Sequence, residues 1–428
     1  MMTDVYTLTQ RRLKKVFDEF DYVYVSFSGG KDSGVLLNLA IDYVREHNLR
    51  RRLGVFHIDY EAQYQMTTDY VDKVFSDDLG FLDFYRICLP ISAQCSTSMY
   101  QDHWVPWEKK HQDLWVRPMP EHCINEDNHT FDFFTHEMWD YDLQDKFGGW
   151  LRQHVGAKKV ACLVGIRTQE SLNRWRAIHS TRNINKYDGC EWTKVSADGV
   201  VNAYPIFDWT TEDVWVANAR FGWSYNKLYD LYYMAGLNID QMRVASPFND
   251  CAQNSLKLYK VIDPNNWAKM VGRVNGVNFT GIYGGTTAMG WKSIKLPEGY
   301  TWKSYMYFLL DTLPEQTRNN YLSKLETSIK FWKERGGCLS REVIEKLREE
   351  GVDFEVGEDT NYNTTKLPVR MDYLDNIDIP EFQQIPTYKR MCVCIMKNDH
   401  LCKYMGFSKT KNEEMRRKEI MDKYNNLL

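Results

Sequence analysis

Residues 22–33 read YVYVSFSGGKDS, an apolar run of aromatic and β-branched residues that stops abruptly at a polar loop with two adjacent glycines. The run has strand composition, and the VLLNLAIDYVREH that follows carries its apolar residues at helical spacing. The stretch therefore reads strand, loop, helix. Gly29 and Gly30 can adopt positive φ and bring bare main-chain N–H groups close to an anion. Asp32 and Ser33 open the helix, whose dipole also favours negative charge. Such a loop is built as a phosphate cradle, although GGKDS alone also fits an ordinary strand-to-helix turn. It is not a Walker A loop, because Lys31 is followed by Asp32 and the upstream glycine spacing is missing.

Working outward, Thr9 to Phe20 has amphipathic helix spacing. RRLGVFHID predicts a second strand, Thr67 to Phe75 a second helix after the loop, and LDFYRICL a third strand. This alternation builds a parallel sheet. It stops over about residues 91–140, rich in Trp, His, Asp and Pro, which read as an insertion. It resumes with a helix near Leu143 to His154 and the strand AKKVACLVG, which opens at Gly165 into IRTQESLNRW. A hairpin-like section, NINKYDGCEWTKV, leads to VNAYPIFDW. The TTEDVWVANARF after it predicts a helix capped by Thr210 or Thr211, with its acids at the positive end. After about Asn249 helical segments alternate with glycine-rich turns. The expected fold is α/β, with a nucleotide-binding domain over residues 1–248 and a mainly α-helical region over 249–428.

At 428 residues the chain is long enough for two domains. Its formal charge of −4 removes a whole-chain electrostatic argument for nucleic-acid or membrane-surface binding. The 27 Tyr and 14 Trp are expected mostly in cores and pocket linings. Ten cysteines without a C-x-x-C fit reduced thiols in a cytoplasmic protein, and the N-terminal residues show no signal peptide or membrane span.

Ser28-Gly29-Gly30-Lys31-Asp32-Ser33 resembles the PP-loop of the adenine-nucleotide α-hydrolases. Three further motifs follow in the order of the phosphoadenosine phosphosulfate (PAPS) reductase and ATP sulfurylase branch. FHIDYEAQY from Phe56 resembles its second-strand H-x-D segment, GIRTQESLNRW its G-[IV]-R-x-x-E-S segment, and YPIFDWTTEDVW from Tyr204 its P-[IL]-x-D-W-[ST]-x-x-D-[VI]-W segment. The resemblance covers about Tyr22 to Leu237. Within the branch, the aromatic insertion, RVASPFND and the helical C-terminal region look most like the immunoglobulin-binding regulator A group of prophage-gene co-activators.

The resemblance implies a doubly wound five-stranded parallel sheet and binding of ATP or a related adenylate or sulfonucleotide. It implies cleavage between the α and β phosphates with release of pyrophosphate, and Mg²⁺ as a companion ion. In that reading the loop N–H groups hold the departing phosphates and Lys31 neutralises charge as it develops. Asp32 either caps the helix or positions Mg²⁺, and Asp59 either contacts ribose or metal or forms a turn. Gly165 completes the nucleotide site. Arg167 is set to grip phosphate or sulfate, with Glu170 orienting it and Arg174 as a second cation; surface Arg–Glu pairing is the alternative. Lys31, Asp32 and Arg167 are the candidate catalytic residues. The narrower likeness implies a ParB-like protein partner and transcriptional control, in which nucleotide occupancy switches association with little catalysis.

The chain departs from the reductase pattern in lacking the E-C-G-[IL]-H segment of the nucleophilic cysteine and the cysteine pairs of iron–sulfur members. Sulfonucleotide reduction and an iron–sulfur cluster are therefore not expected. RMCVCIMKNDHLCKY offers Cys392, Cys394, His400 and Cys402 as a weak zinc set, against the reading of an apolar helix with buried thiols. His103, His111, His122, Cys123 and His129 form a looser group in the insertion. Cys251, after RVASPFND, reads as a structural thiol before it reads as a nucleophile.

Overall fold

Tyr22 and Tyr24 face one side of a central sheet and Val23 and Val25 the other, because side chains alternate along a strand. The strand they form, β1 (Tyr22–Ser26), is buried on both faces, as its nearly continuous apolar sequence requires. In this computed structural model the described residues are 4–77, 79–179, 185–197, 199–238, 242, 244, 246–283, 294–358 and 364–407.

Helix α1 (Val5–Glu19) precedes β1 and α2 (Lys31–Glu46) follows its loop. Next come β2 (Leu53–Ile58), α3 (Gln65–Phe75) and β3 (Leu82–Cys88). The insertion holds an antiparallel hairpin, β4 (Ala93–Ser98) and β5 (Gln101–Trp104), and a two-residue strand β6 (Ile124–Asn125). Helix α4 (Asp140–His154), β7 (Val160–Val164) and the short α5 (Leu172–His179) lead to β8 (Thr193–Ala197), β9 (Val200–Ala203), α6 (Thr211–Phe221) and α7 (Leu228–Met234).

The sheet has seven strands in the order β6-β3-β2-β1-β7-β9-β8. Its five central strands are parallel, as expected, and the edges were not foreseen: β6 adds a parallel pairing to β3 and β8 runs antiparallel to β9. After β3 the chain returns to the other side of β1, so strand order reverses between β1 and β7. This is the topological switch point, outside whose strand ends such sheets place their ligands.

Helices cover both faces. On one, Leu13 and Val16 of α1, Leu36 and Leu39 of α2, Val71 of α3 and Val214 of α6 pack over Val23, Val25, Val55 and Leu163. Leu36 and Leu39 are fully buried, and each such side chain contributes about 2 kcal/mol. On the other face, Leu143, Phe147 and Leu151 of α4 cover Tyr24, Phe56, Tyr85 and Cys162. Thr210 caps α6 in a reciprocal capping box with Asp213.

The chain divides into two compact units, Met1–Met289 with Asn361–Thr364, and Gly290–Thr360 with Thr365–Leu428. The helical segments within 253–283 fall in the first unit because Leu256, Tyr259, Met270 and Val277 share a core with Ala93, Cys95 and Trp104 of the hairpin. The second unit is mainly helical, with the long helix Glu315–Glu334 and a small antiparallel sheet of Gly337–Leu339, Phe354–Val356 and Leu367–Met371. Among the described residues no helix is long and apolar enough to cross a membrane.

Candidate functional site

The loop after β1 is held open by its own side chains. Gly29 sits at φ +75°, a left-handed conformation that glycine adopts without penalty, and a Cβ there would also press Thr67 and Val71 at 3.2 and 3.1 Å. The Ser33 hydroxyl accepts from the Ser28 N–H at 3.1 Å and donates to the Gly30 carbonyl at 3.2 Å. Asn226 pins the loop from outside, donating to the Gly29 carbonyl at 3.1 Å and to Thr67 Oγ1 at 2.9 Å. The Lys31 N–H donates to the Tyr229 hydroxyl at 3.0 Å. The N–H groups of Gly29, Asp32 and Ser33 have no acceptor among the described residues. They gather at the N-terminus of a 16-residue helix, where the dipole adds to their positive potential.

Strand β7 runs beside β1 in register, Val164 opposite Ser26, so the residues after β7 emerge next to the loop. A Cβ on Gly165 would lie 3.0 Å from the Ser33 nitrogen and 3.1 Å from the Asp32 carbonyl carbon, in space that an anion on this helix end needs. Two residues on, Arg167 is 1% exposed, and its Nε donates to Asp32 Oδ1 at 2.7 Å. Lys31 Nζ lies 3.0 Å from the other oxygen, Oδ2, so the Asp32 carboxylate bridges two cations. Arg167 also donates to Gln169 Oε1 at 3.2 Å and lies 3.7 Å from Glu170, which in turn pairs with Arg174. Arg167 is thus neither a surface ion-pair residue nor a group facing the loop across a cleft. The parallel register makes it the loop's lateral neighbour.

Asp59 is buried just beyond β2 and its oxygens are already taken. Oδ2 accepts from Arg86 Nε at 3.0 Å, while Oδ1 accepts from Arg117 and, at 3.1 Å, from the Glu61 N–H. Burial alone pushes its carboxyl up, but Arg117 and Arg86 outweigh that and hold it at about 2. Glu61, at φ +65°, accepts from the N–H groups of Trp107 at 2.7 Å and Val116 at 3.0 Å, and from Arg273 at 3.0 Å. These two carboxylates fasten the insertion to the strand ends. His57 donates from Nδ1 to the Phe27 carbonyl at 2.8 Å, and burial drops its pKa to about 4; its Nε2 has no partner among the described residues.

Sequence reading missed Glu61, Arg86, Arg117, Tyr229, Asn226 and Arg273. Arg86 left a signal: a charge inside the apolar strand LDFYRICL demands a buried partner. The others sit in segments whose local pattern carries none.

In the second unit the four zinc candidates do not converge. Cys394 Sγ lies 3.7 Å from Asp399 and beside Cys402, Cys392 Sγ faces the Trp302 carbonyl at 3.6 Å, and the His400 ring stacks on Tyr321. In the insertion His103 pairs with Asp102, His111 lies 3.6 Å from Glu108, and His129 packs on Phe134. Among the described residues no group of three or more His, Cys, Asp or Glu side chains is placed to hold a metal ion. The Cys251 side chain and positions 243 and 245 of RVASPFND lie outside the described residues.

Residues 22–235 match the family model of the phosphoadenosine phosphosulfate reductase domain, and residues 236–416 match a domain of unknown function, DUF3440. The uncharacterized protein YbdN of Escherichia coli (strain K12) is 31% identical over 95% of this chain and 91% of its own length. Solved structures that align with the chain include a PAPS reductase from Candida auris in its phosphate complex, at 16% identity over 52% of this chain and 84% of that one, with a TM-score of 0.29. Another is the Candida glabrata FMN adenylyltransferase with FMN and an ATP analogue, at 15% identity over 53% and 59%, with a TM-score of 0.31. None of these matches names the regulator A group. By its N-terminal half, the chain belongs to the phosphoadenosine phosphosulfate reductase domain family.

Proposed function

We propose that this chain binds ATP or a related adenylate with its phosphates on Ser28 to Ser33 and catalyses attack at the α-phosphorus with release of pyrophosphate. The observation that carries this reading is the set of acceptor-less N–H groups of Gly29, Asp32 and Ser33 at the start of α2, at the sheet's switch point. An acceptor oxygen forms a bond to the α-phosphorus, the bond to the bridging oxygen breaks, and the electron pair leaves with pyrophosphate. The N–H groups and Lys31 stabilise the charge on that leaving group. Arg167 holds Asp32 beside Lys31 and so sets where that charge sits; Glu170 and Arg174 extend the same chain of ion pairs.

Mg²⁺, which the resemblance implies, finds no ready carboxylate in the loop, since both Asp32 oxygens face cations. The residues present do not make its site. Asp59, read from sequence as a nucleotide contact, fits the anchoring of the insertion better. The regulatory reading with a ParB-like partner and transcriptional control is supported by none of the matches above, and we do not adopt it.

The test is titration of the full chain with ATP, AMP, adenylylsulfate and its 3′-phosphorylated form, together with pyrophosphate release from labelled ATP. Binding of at least one of the four that is lost in Gly29→Ala supports the site. Equal binding by parent and variant overturns it, and a bound ATP that never yields pyrophosphate with any acceptor overturns the chemistry.

A further inference from the structure

Strand β6 brings a second thiol to the edge of the sheet. Ile124 pairs with Ile87 and Asn125 with Cys88, in parallel register. Extending that register by one residue sets Cys123 opposite Arg86, on the same face as Cys88, because side chains two apart on a strand share a face. The two thiols pack together under Trp107, with Trp115 and Met119 alongside, and are within hydrogen-bonding reach of each other. Both are free. They differ in access: Cys88 is fully buried, whereas Cys123 is 8% exposed.

We propose that Cys88 and Cys123 are a redox-active thiol pair, in which a hydroperoxide oxidises Cys123 and Cys88 resolves the product to a disulfide. The Cys123 sulfur attacks one peroxide oxygen, breaks the O–O bond and becomes a sulfenic acid, with the second oxygen leaving as water or an alcohol. The Cys88 sulfur then attacks the Cys123 sulfur, water departs, and the two thiols have lost two electrons and two protons to the peroxide.

The surroundings support these roles. The Cys88 thiol donates toward Cys123 and Asn125 Nδ2 lies 3.8 Å from the Cys123 sulfur, and together they bring the Cys123 thiol down to about 7. Burial pushes the Cys88 thiol well up, which suits a resolving partner that waits as the thiol. A disulfide needs Cβ atoms about 3.5–4.5 Å apart, and the register sets Cys123 diagonal to Cys88, so closing the bond requires the two-residue β6 to slide along the sheet edge toward Cys88. The bond would tie β6 covalently to β3. The chain leading into β6 carries Arg117 onto Asp59, so oxidation fastens the same insertion that the buried ion pairs hold. This inference is independent of nucleotide binding.

The experiment is a thiol map of the full chain. Protein freed of reductant is titrated with hydrogen peroxide, quenched with catalase, alkylated, digested and analysed by mass spectrometry. The expected result is a Cys88–Cys123 linked peptide at peroxide concentrations about tenfold below those that oxidise Cys190 and Cys338, the partly exposed thiols, reversed by dithiothreitol. Alkylation of both Cys88 and Cys123 while Cys190 and Cys338 oxidise overturns the proposal. In Cys88→Ser, a 1,3-dione should trap the sulfenic acid on Cys123. In Cys123→Ser, Cys88 should stay alkylatable, and its oxidation at the same peroxide concentration overturns the assigned roles. The linked peptide in the parent decides the matter if either variant fails to fold.

Discussion

Arg167 Nε donates to Asp32 Oδ1 at 2.7 Å and so joins the residues after β7 to the first turn of α2. Both elements leave the switch point of the sheet, and the bond shares with Lys31, on the other oxygen, the neutralising of the Asp32 carboxylate before an incoming phosphate. Arg167→Ala therefore has two expected effects. Loss of a buried ion-pair partner destabilises the fold by roughly 3 kcal/mol, and ATP affinity falls by about tenfold or more as Asp32 repels the phosphates. Arg167→Lys does not rescue either, because an ammonium cannot serve Asp32, Gln169 and the Trp209 carbonyl from one planar fork. Thermal melts and ATP titrations check this; both folded variants binding ATP like the parent would show that the pair plays no part in the site.

Gly165 gives a sharper test of where the phosphates lie. Its Cβ in Gly165→Ala would stand 3.0 Å from the Ser33 nitrogen, over one of the acceptor-less N–H groups. Losing a charged hydrogen bond of about 1.5–3 kcal/mol predicts a tenfold to hundredfold drop in ATP affinity. Gly149→Ala in α4, where a Cβ meets nothing within 4 Å, serves as the control and should leave affinity unchanged. Unaltered affinity in Gly165→Ala would move the phosphates elsewhere.

The contrast between Gly29 and Gly30 shows how far sequence reaches. The paired glycines, the helix start and the parallel alternation were legible because each is a local pattern. The sequence does not say which glycine needs its conformation: Gly29 has φ +75°, whereas Gly30 is extended at φ −87° with the nearest atom to an added Cβ at 3.3 Å. Residues that meet only through the sheet register leave no local trace. Arg167 was legible as a candidate from its motif, but its partner Asp32, 135 residues away, follows from β7 lying beside β1. Likewise β6 reads as part of an irregular insertion, since two residues carry no period.

His57 makes a prediction in pH. Its folded pKa of about 4 lies below the unfolded value of 6.5, because burial disfavours the imidazolium. The unfolded chain therefore binds a proton between these values that the folded chain does not, and stability falls as pH drops from 6.5 toward 4. The shift amounts to roughly 3 kcal/mol. His57→Gln cannot titrate and retains a donor for the Phe27 carbonyl, so its denaturation midpoint should depend less on pH in this window. Parallel pH profiles for parent and variant would refute the assignment.

Asp59 separates anchoring from ligand contact. With its folded pKa at about 2 against 3.8, the sign runs opposite to that of a buried histidine: its contribution is fully present above pH 3.8 and is lost as pH falls through 2. Asp59→Asn removes the charge that Arg86 and Arg117 share, leaving the buried Arg117 guanidinium without a carboxylate and Arg86 with Asp72 alone, at a cost of about 3–5 kcal/mol. The variant should melt well below the parent, yet its folded fraction should bind ATP within about twofold of the parent, since the added cost lies in the fold and not in the complex. It should also have a flatter acid limb between pH 4 and 2. The opposite pattern, a parent-like melt with ATP binding lost, would return Asp59 to the nucleotide and show that Arg86 and Arg117 hold the insertion without it.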